Sequence, residues 1–247
     1  MNTAAKLKYQ SDYAELPFEN ILREYRKQNI LKILKAHQHN CILEIGSGPE
    51  PFFCDFDEYK KMIVVEPGIN YYNTAKALAA TNSRVELIND CIENLQSTLK
   101  NEVFDFIIIG GFLHEIGNPD EVLQVVKKLC SPGTMVHTFV PNANSFHRLI
   151  AYEMKMIKNV YEKSGHDELF QRFKVYDIPS IKQLLEQNGF LVKDCSTYFI
   201  KPFTHSQLQQ MLDTKIIDKT VIDGLNAVTK YFPDNGAEIS INCTPVF

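Results

Sequence analysis

The first residues whose types and spacing could do chemistry lie in CILEIGSGPEPFF, Cys41 to Phe53. An apolar run reaches Glu44 and Ile45 and breaks into Gly46-Ser47-Gly48. Glycines permit a tight turn with positive φ and let a ligand approach the backbone closely. A dinucleotide fingerprint needs a third glycine at the position held here by Pro51, and proline also removes an N–H donor. The turn is therefore poor for pyrophosphate. Glu44 suits a cationic ligand better than an anionic one, and a purely structural turn is the other reading. Later loops add to the pattern. Glu66 ends KMIVVE, where a carboxylate can accept two hydrogen bonds from ribose hydroxyls. Asp90, in LINDCIENL, is placed to take the amino group of adenine. GGFLHE, Gly110 to Glu115, follows FDFIII, and its small residues leave room beside a ligand.

These residues all follow strand-like runs. CILEI (41–45), KMIVVE (61–66), RVELI (84–88), FDFIII (104–109) and TMVHTFV (134–140) read as five strands, with helical periodicity between several of them. Apolar spacing predicts a helix over 18–36. Asn70 is a candidate N-cap for INYYNTAKALAA. Asn118 with Pro119 opens another helix, and Ser131-Pro132-Gly133 stops it. Such alternation predicts an α/β fold with a doubly wound, mostly parallel sheet. Its ligand belongs outside the carboxyl ends of the strands, near the topological switch point. The polar, aromatic-rich stretch about 143–177 reads as a helical insertion or lid. Two late strands, LVKDCSTYFI and AEISINC, make an antiparallel C-terminal edge. The chain reads as one domain, 1–247, with an N-terminal helical segment over 1–40.

Composition narrows the classes. The chain has 247 residues, 45% apolar and 23% charged, as expected of a globular protein with a substantial core. A net charge of -4 argues against a nucleic-acid partner. The six cysteines form no CxxC pair and read as buried free thiols in a reducing cytoplasm. No signal peptide or membrane-spanning run is visible, so a cytoplasmic protein with no membrane partner is expected. Oligomeric state is not readable.

The segments LEIGSG (43–48), VVEP (64–67), IND (88–90), FDFIIIGGFLHEIGNP (104–119) and LCSPGTMVHTFVPN (129–142) together resemble the class I S-adenosylmethionine-dependent methyltransferases. VPNANSFHRLI, SGH and LLEQNGF are similar to a small-molecule subset linked to sugar and surface-polysaccharide modification. The resemblance implies a Rossmann-like methyltransferase fold with a seven-stranded sheet, an antiparallel C-terminal edge strand and a helical insertion. It also implies S-adenosylmethionine as cofactor. Gly46 and Gly48 would pack on its methionine part, with Glu44 near the ammonium. Glu66 would hold the ribose, Asp90 the adenine amino group, and the Cys91 N–H would face the ring. Gly110 would offer a carbonyl to the ammonium. Arg26 would reach the carboxylate, or else lie on a solvated helix face. The departure from the family pattern is Pro49-Glu50-Pro51.

An alcohol acceptor needs a base, a phosphate needs only cations, and an amine must be neutral. His114 is the leading base candidate, because imidazole titrates near neutral pH; a local backbone contact is the alternative. His166, in SGHDE, is the second candidate, or an exposed loop residue. Arg148 could bind a phosphate or sugar group. His147 is its neighbour on a helix, where adjacent side chains do not share a face. Glu115 assists His114 or faces solvent. Tyr152, Met156 and Val160 have helical spacing and read as core. No metal constellation occurs, so transfer without a metal is expected. The leading reading is methylation of an oxygen on a sugar, sugar phosphate or related small molecule. N- or phosphate-directed transfer, a nicotinamide-dependent oxidoreductase and a domain that binds without turnover are the alternatives.

Overall fold

Runs of apolar residues broken by turns become one sheet. A computed structural model describes residues 17–163 and 172–247. Strands β1 (Cys41–Ile45), β2 (Lys61–Val65), β3 (Val85–Ile88), β4 (Phe104–Ile109) and β5 (Cys130–Pro141) are parallel. With β6 (Phe190–Tyr198) and β7 (Glu238–Pro245) they give the order 3-2-1-4-5-7-6. β7 runs antiparallel to both β5 and β6. The antiparallel C-terminal edge is therefore the β7–β6 pair, with β7 slotted between β5 and β6.

Alternation along each strand feeds two cores, because successive side chains point to opposite faces. Leu43, Ile45, Ile63, Val65, Ile107 and Ile109 pack with helices α3 (Gln96–Leu99), α4 (Pro119–Leu129) and α6 (Ile178–Gln187). Ile42, Met62, Val64, Phe106 and Ile108 pack on the other face with α1 (Pro17–Lys35) and α2 (Ile69–Leu78). A third cluster joins the start of α1 to α7 (His205–Asp213) and α8 (Lys219–Ala227). The remaining helix, α5, is Phe146–Glu153. Among the described residues no helix is long and apolar enough to cross a membrane.

Several local expectations shift. The N-cap of α2 is Gly68, whose N–H donates to Glu66, so Asn70 lies inside the first turn. Asn118 occupies the N-cap of α4 without a capping bond, and its side chain reaches Glu121 instead. Strand β5 begins at Cys130, earlier than expected. Ser131–Gly133 forms an irregularity within it, tied by Thr134, which accepts from Ser131 N–H and donates to the Phe104 carbonyl. The Tyr152–Met156–Val160 spacing fails because α5 ends at Glu153; Met156 is exposed.

The β5–β7 pairing buries an imidazole against an amide. His137 is fully buried, with Nδ1 2.8 Å from Oδ1 of Asn242. Burial pushes the imidazole down to about 4, from an ordinary 6.5. The unfolded chain therefore takes up a proton between those values and the folded chain does not. The His137 contribution to stability is constant above pH 6.5 and falls as pH drops from 6.5 toward 4, by about 3 kcal/mol. Urea unfolding from pH 4 to 7 should show this slope in the difference between wild type and His137→Gln, and a pH-independent difference would remove it.

Candidate functional site

The parallel strands end along one edge of the sheet, and a cavity of about 1030 Å³ opens there. Its first wall is the loop after β1. Gly46 and Gly48 have φ of 78° and 60°, the region glycine adopts without strain. Gly110, after β4, donates its N–H to the Ile45 carbonyl at 2.8 Å. A Cβ on Gly110 would lie 2.2 Å from the Gly46 carbonyl oxygen, so only glycine lets the two loops close.

The awkward Pro49-Glu50-Pro51 segment has three identifiable duties. Glu50 pairs with Arg23 at 3.2 Å and Lys27 at 3.1 Å, tying the loop to α1. Phe52 and Phe53 are buried beneath it. The Phe52 N–H donates to both oxygens of Glu44, at 3.2 and 3.0 Å. Phe52–Cys54 is a single 3-10 turn, so the loop does not run into a helix N-terminus that could receive pyrophosphate.

Glu44 and Glu66 are both buried and both line the cavity. Burial pushes the Glu44 carboxyl up to about 8, against the lowering effect of the Phe52 N–H. Burial also raises Glu66, while loop amides hold it down. Glu66 accepts from Gly68 N–H at 2.7 Å on Oε1 and from Gly48 N–H at 3.0 Å on Oε2. Cys91, Ile92 and Glu93 line the cavity, but Asp90 turns into its own loop. Its Oδ1 accepts from Cys91 N–H and Asn94 Nδ2, both at 2.7 Å. The Cys91 N–H, expected to face the ring, donates to Asp90 instead.

The opposite wall comes from the β5–β7 side. Arg26 is drawn there, away from the glycine loop. Its Nε donates to Glu238 Oε2 at 2.9 Å, and its Nη2 bonds Glu19 at 3.1 Å and Glu238 Oε1. Its guanidinium also stacks 4.6 Å over Phe139. Arg26 is thus not on a solvated helix face; it lines the cavity, as does Arg23, which pairs with Glu50. Arg148 donates to the backbone carbonyls of Val160 and Glu162, holding the segment after α5. His147 and Arg148 both line the cavity despite being adjacent, since the cavity wraps the flank of α5. His166 lies outside the described residues.

His114 stands between the two walls. It is 4% exposed, and neither ring nitrogen has a hydrogen-bond partner among the described residues. Nε2 lies 3.4 Å from Oε1 of Glu115. Burial lowers its pKa below 6.5, opposed by Glu115 and Glu238 and reinforced by Arg172. Glu115 also acts on Tyr71, which burial pushes up to about 12 with help from Glu66. The fields of both walls therefore meet at Glu115 and His114. The sequence reading missed Glu19, Arg23, Glu238 and Arg172. Glu19, Arg23, Arg26 and Lys27 share one helical face, a signal visible in the spacing. Glu238 carries no local signal.

A family profile described as a methyltransferase domain matches residues 18–193. No curated protein matches by sequence. Among solved structures, the chain is similar to an S-adenosylmethionine-dependent methyltransferase, possibly a histamine N-methyltransferase by its description, from Thermotoga maritima. The TM-score is 0.63 at 17% identity, covering 97% of this chain and 99% of that one. It is also similar to the N-methyltransferase NodS from Bradyrhizobium japonicum in complex with S-adenosyl-l-homocysteine, at TM-score 0.58, 12% identity and coverage of 96% and 98%. The [4+2]-cyclase SpnF matches at TM-score 0.58 and 10% identity, covering 90% and 81%. At these identities the likeness is one of fold.

The folded chain holds the Glu44 proton where the unfolded chain loses it. That contribution is complete below pH 4.5 and is lost as pH rises toward about 8. Unfolding free energies between pH 5 and 9 should therefore fall for the wild type by a few kcal/mol relative to Glu44→Gln. Parallel curves for the two proteins would remove this assignment.

Proposed function

The chain belongs to the family of S-adenosylmethionine-dependent methyltransferase domains, and from that premise we propose that it methylates an oxygen of a small molecule, a sugar, sugar phosphate or related polysaccharide precursor. The observation that carries the reading is His114, a buried imidazole without a hydrogen-bond partner among the described residues, set in the same cavity as the glycine turn. A buried polar group left unpaired costs about 1–3 kcal/mol, and an acceptor hydroxyl would offset that cost.

The residues suit the cofactor. Gly46, Gly48 and Gly110 leave backbone surface for its methionine part, and Glu44 lies near its cationic end. Each carboxylate oxygen accepts two bonds, and Oε1 of Glu66 takes one from Gly68, leaving one for a ribose hydroxyl. Asp90 and Cys91 border the adenine region. Arg23 and Arg26 both line the cavity as candidate partners of its carboxylate. The bound cofactor supplies a methyl group already activated by a sulfonium. The chain then has to align the acceptor and remove its proton. The acceptor oxygen would receive the methyl group from the bound cofactor, and His114 would take up the hydroxyl proton. A lowered pKa keeps His114 neutral, and so able to accept, at neutral pH.

One observation favours a second reading. The Glu115 carboxylate beside His114 would also suit an amine acceptor, giving N-directed transfer. The cavity volume of about 1030 Å³ lies at the upper end of the usual range of about 300–1,000 Å³ for small-molecule sites.

Calorimetry should show S-adenosylhomocysteine binding that Glu66→Ala weakens at least about tenfold, the scale of a lost charged hydrogen bond. His114→Ala should lower kcat by about 100-fold or more with unchanged S-adenosylhomocysteine affinity. The acid limb of wild-type kcat should lie below pH 6.5. Binding of NADH in place of S-adenosylhomocysteine refutes the reading, and full activity of His114→Ala removes the base.

A further inference from the structure

β7 is antiparallel in an otherwise parallel region, so its first residue arrives where the parallel strands end. Glu238 pairs in register with Pro141, the last residue of β5, and opens into the cavity that His114 lines. It is 7% exposed, and its placement is over-determined. Arg26 grips both of its oxygens, and the Tyr198 hydroxyl donates to Oε2. Oε2 therefore accepts two bonds, whereas Oε1 accepts one among the described residues. Two lone pairs per carboxylate oxygen leave one acceptor position on Oε1.

The wall around Glu238 is charged but balanced. Glu19 and Glu238 face Arg26, and the buried Lys201 lies 3.1 Å from His205, which is itself 4.0 Å from Glu19. Among the described residues of this wall, the two carboxylates Glu19 and Glu238 stand against the two cations Arg26 and Lys201. What the wall presents is a dense set of fixed donors and acceptors, which suits hydroxyl groups. Glu238 and His114 both line this cavity.

We propose that Glu238 is a specificity-determining residue that binds a second hydroxyl of the acceptor, adjacent to the one methylated, so that the substrate class is a polyhydroxylated molecule presenting neighbouring hydroxyls to His114 and Glu238. This rests on the oxygen-directed reading above and deepens it. The second hydroxyl donates to Oε1 and undergoes no bond change. It fixes which oxygen lies in line with the transferred methyl. An acceptor with one hydroxyl leaves Oε1 unsatisfied and lets the ring rotate.

The test uses the full chain with labelled S-adenosylmethionine and a panel of hexoses, hexose phosphates, their monodeoxy analogues, simple alcohols and amines. Wild-type protein should methylate a polyol. Removing the hydroxyl next to the methylated position should lower kcat/KM about 10- to 100-fold, as for a lost hydrogen bond to a charged group. Glu238→Ala should bring parent and deoxy acceptors to within about twofold of each other. Glu238→Gln, which keeps a carbonyl acceptor and the packing, should restore part of the preference. S-adenosylhomocysteine affinity, unchanged in both variants, shows that the fold is intact. Equal turnover of parent and deoxy acceptors by wild type overturns the proposal, as does turnover of simple alcohols or amines alone, or cofactor binding with no polyol methylated. Failure to bind S-adenosylhomocysteine at all would instead overturn the reading beneath it.

Discussion

The contact between Gly110 and the end of β1 is the constraint from which the site follows. β1 and β4 are neighbours in the sheet but their loops leave in different directions, which is what opens a crevice at a switch point. The two loops can meet there only if Gly110 lacks a side chain, as the 2.2 Å clash of a Cβ on it with the Gly46 carbonyl shows. Next to it, Gly111 abuts the Phe139 ring, where a Cβ would also lie 2.2 Å away. That ring in turn carries the Arg26 guanidinium. A pair of glycines thus sets the separation between the cofactor wall and the acceptor wall.

The two walls are made by different means. Short-range backbone bonds assemble the cofactor wall: Glu66 draws in the amides of Gly48 and Gly68, and Glu44 draws in that of Phe52. Each carboxylate organises the loop of its own or the adjacent strand. The acceptor wall is held by side chains from distant segments, with α1, β7 and α7 meeting at the Arg26–Glu19–Glu238 cluster and at His205. A buried pair of this kind is expensive to break, because the surviving partner keeps an uncompensated charge.

This division explains what was legible in the sequence. The strands, their parallel order and the roles open to Gly46, Gly48 and Gly110 follow from period-two apolar runs and from glycine at sharp turns, both local signals. The start of β5 was misplaced because Ser131-Pro132-Gly133 has the composition of a helix stop but is absorbed into a strand irregularity fixed by Thr134. Asn70 and Asn118 look like caps, yet a carboxylate on the preceding strand end and a neighbouring Glu121 decide those positions. Arg26 was read from its helix alone. Its true partner, Glu238, is brought to it by an antiparallel strand insertion that no local pattern encodes.

On the proposed reading, the same insertion separates binding of the cofactor from choice of acceptor. An all-parallel sheet would present only strand ends and their following loops along this edge. Reversing β7 adds a strand beginning, so a side chain can face the cavity from a position braced by hydrogen bonds on both sides. Changes at Glu238, Lys201 or His205 leave the backbone bonds of the glycine loop untouched. The walls communicate through Glu115, whose charge reaches Tyr71 on one side and His114 on the other. An imidazole placed there, desolvated and neutral, responds to both halves at once. That is the position a proton acceptor must hold if transfer is to wait until cofactor and acceptor are both in place.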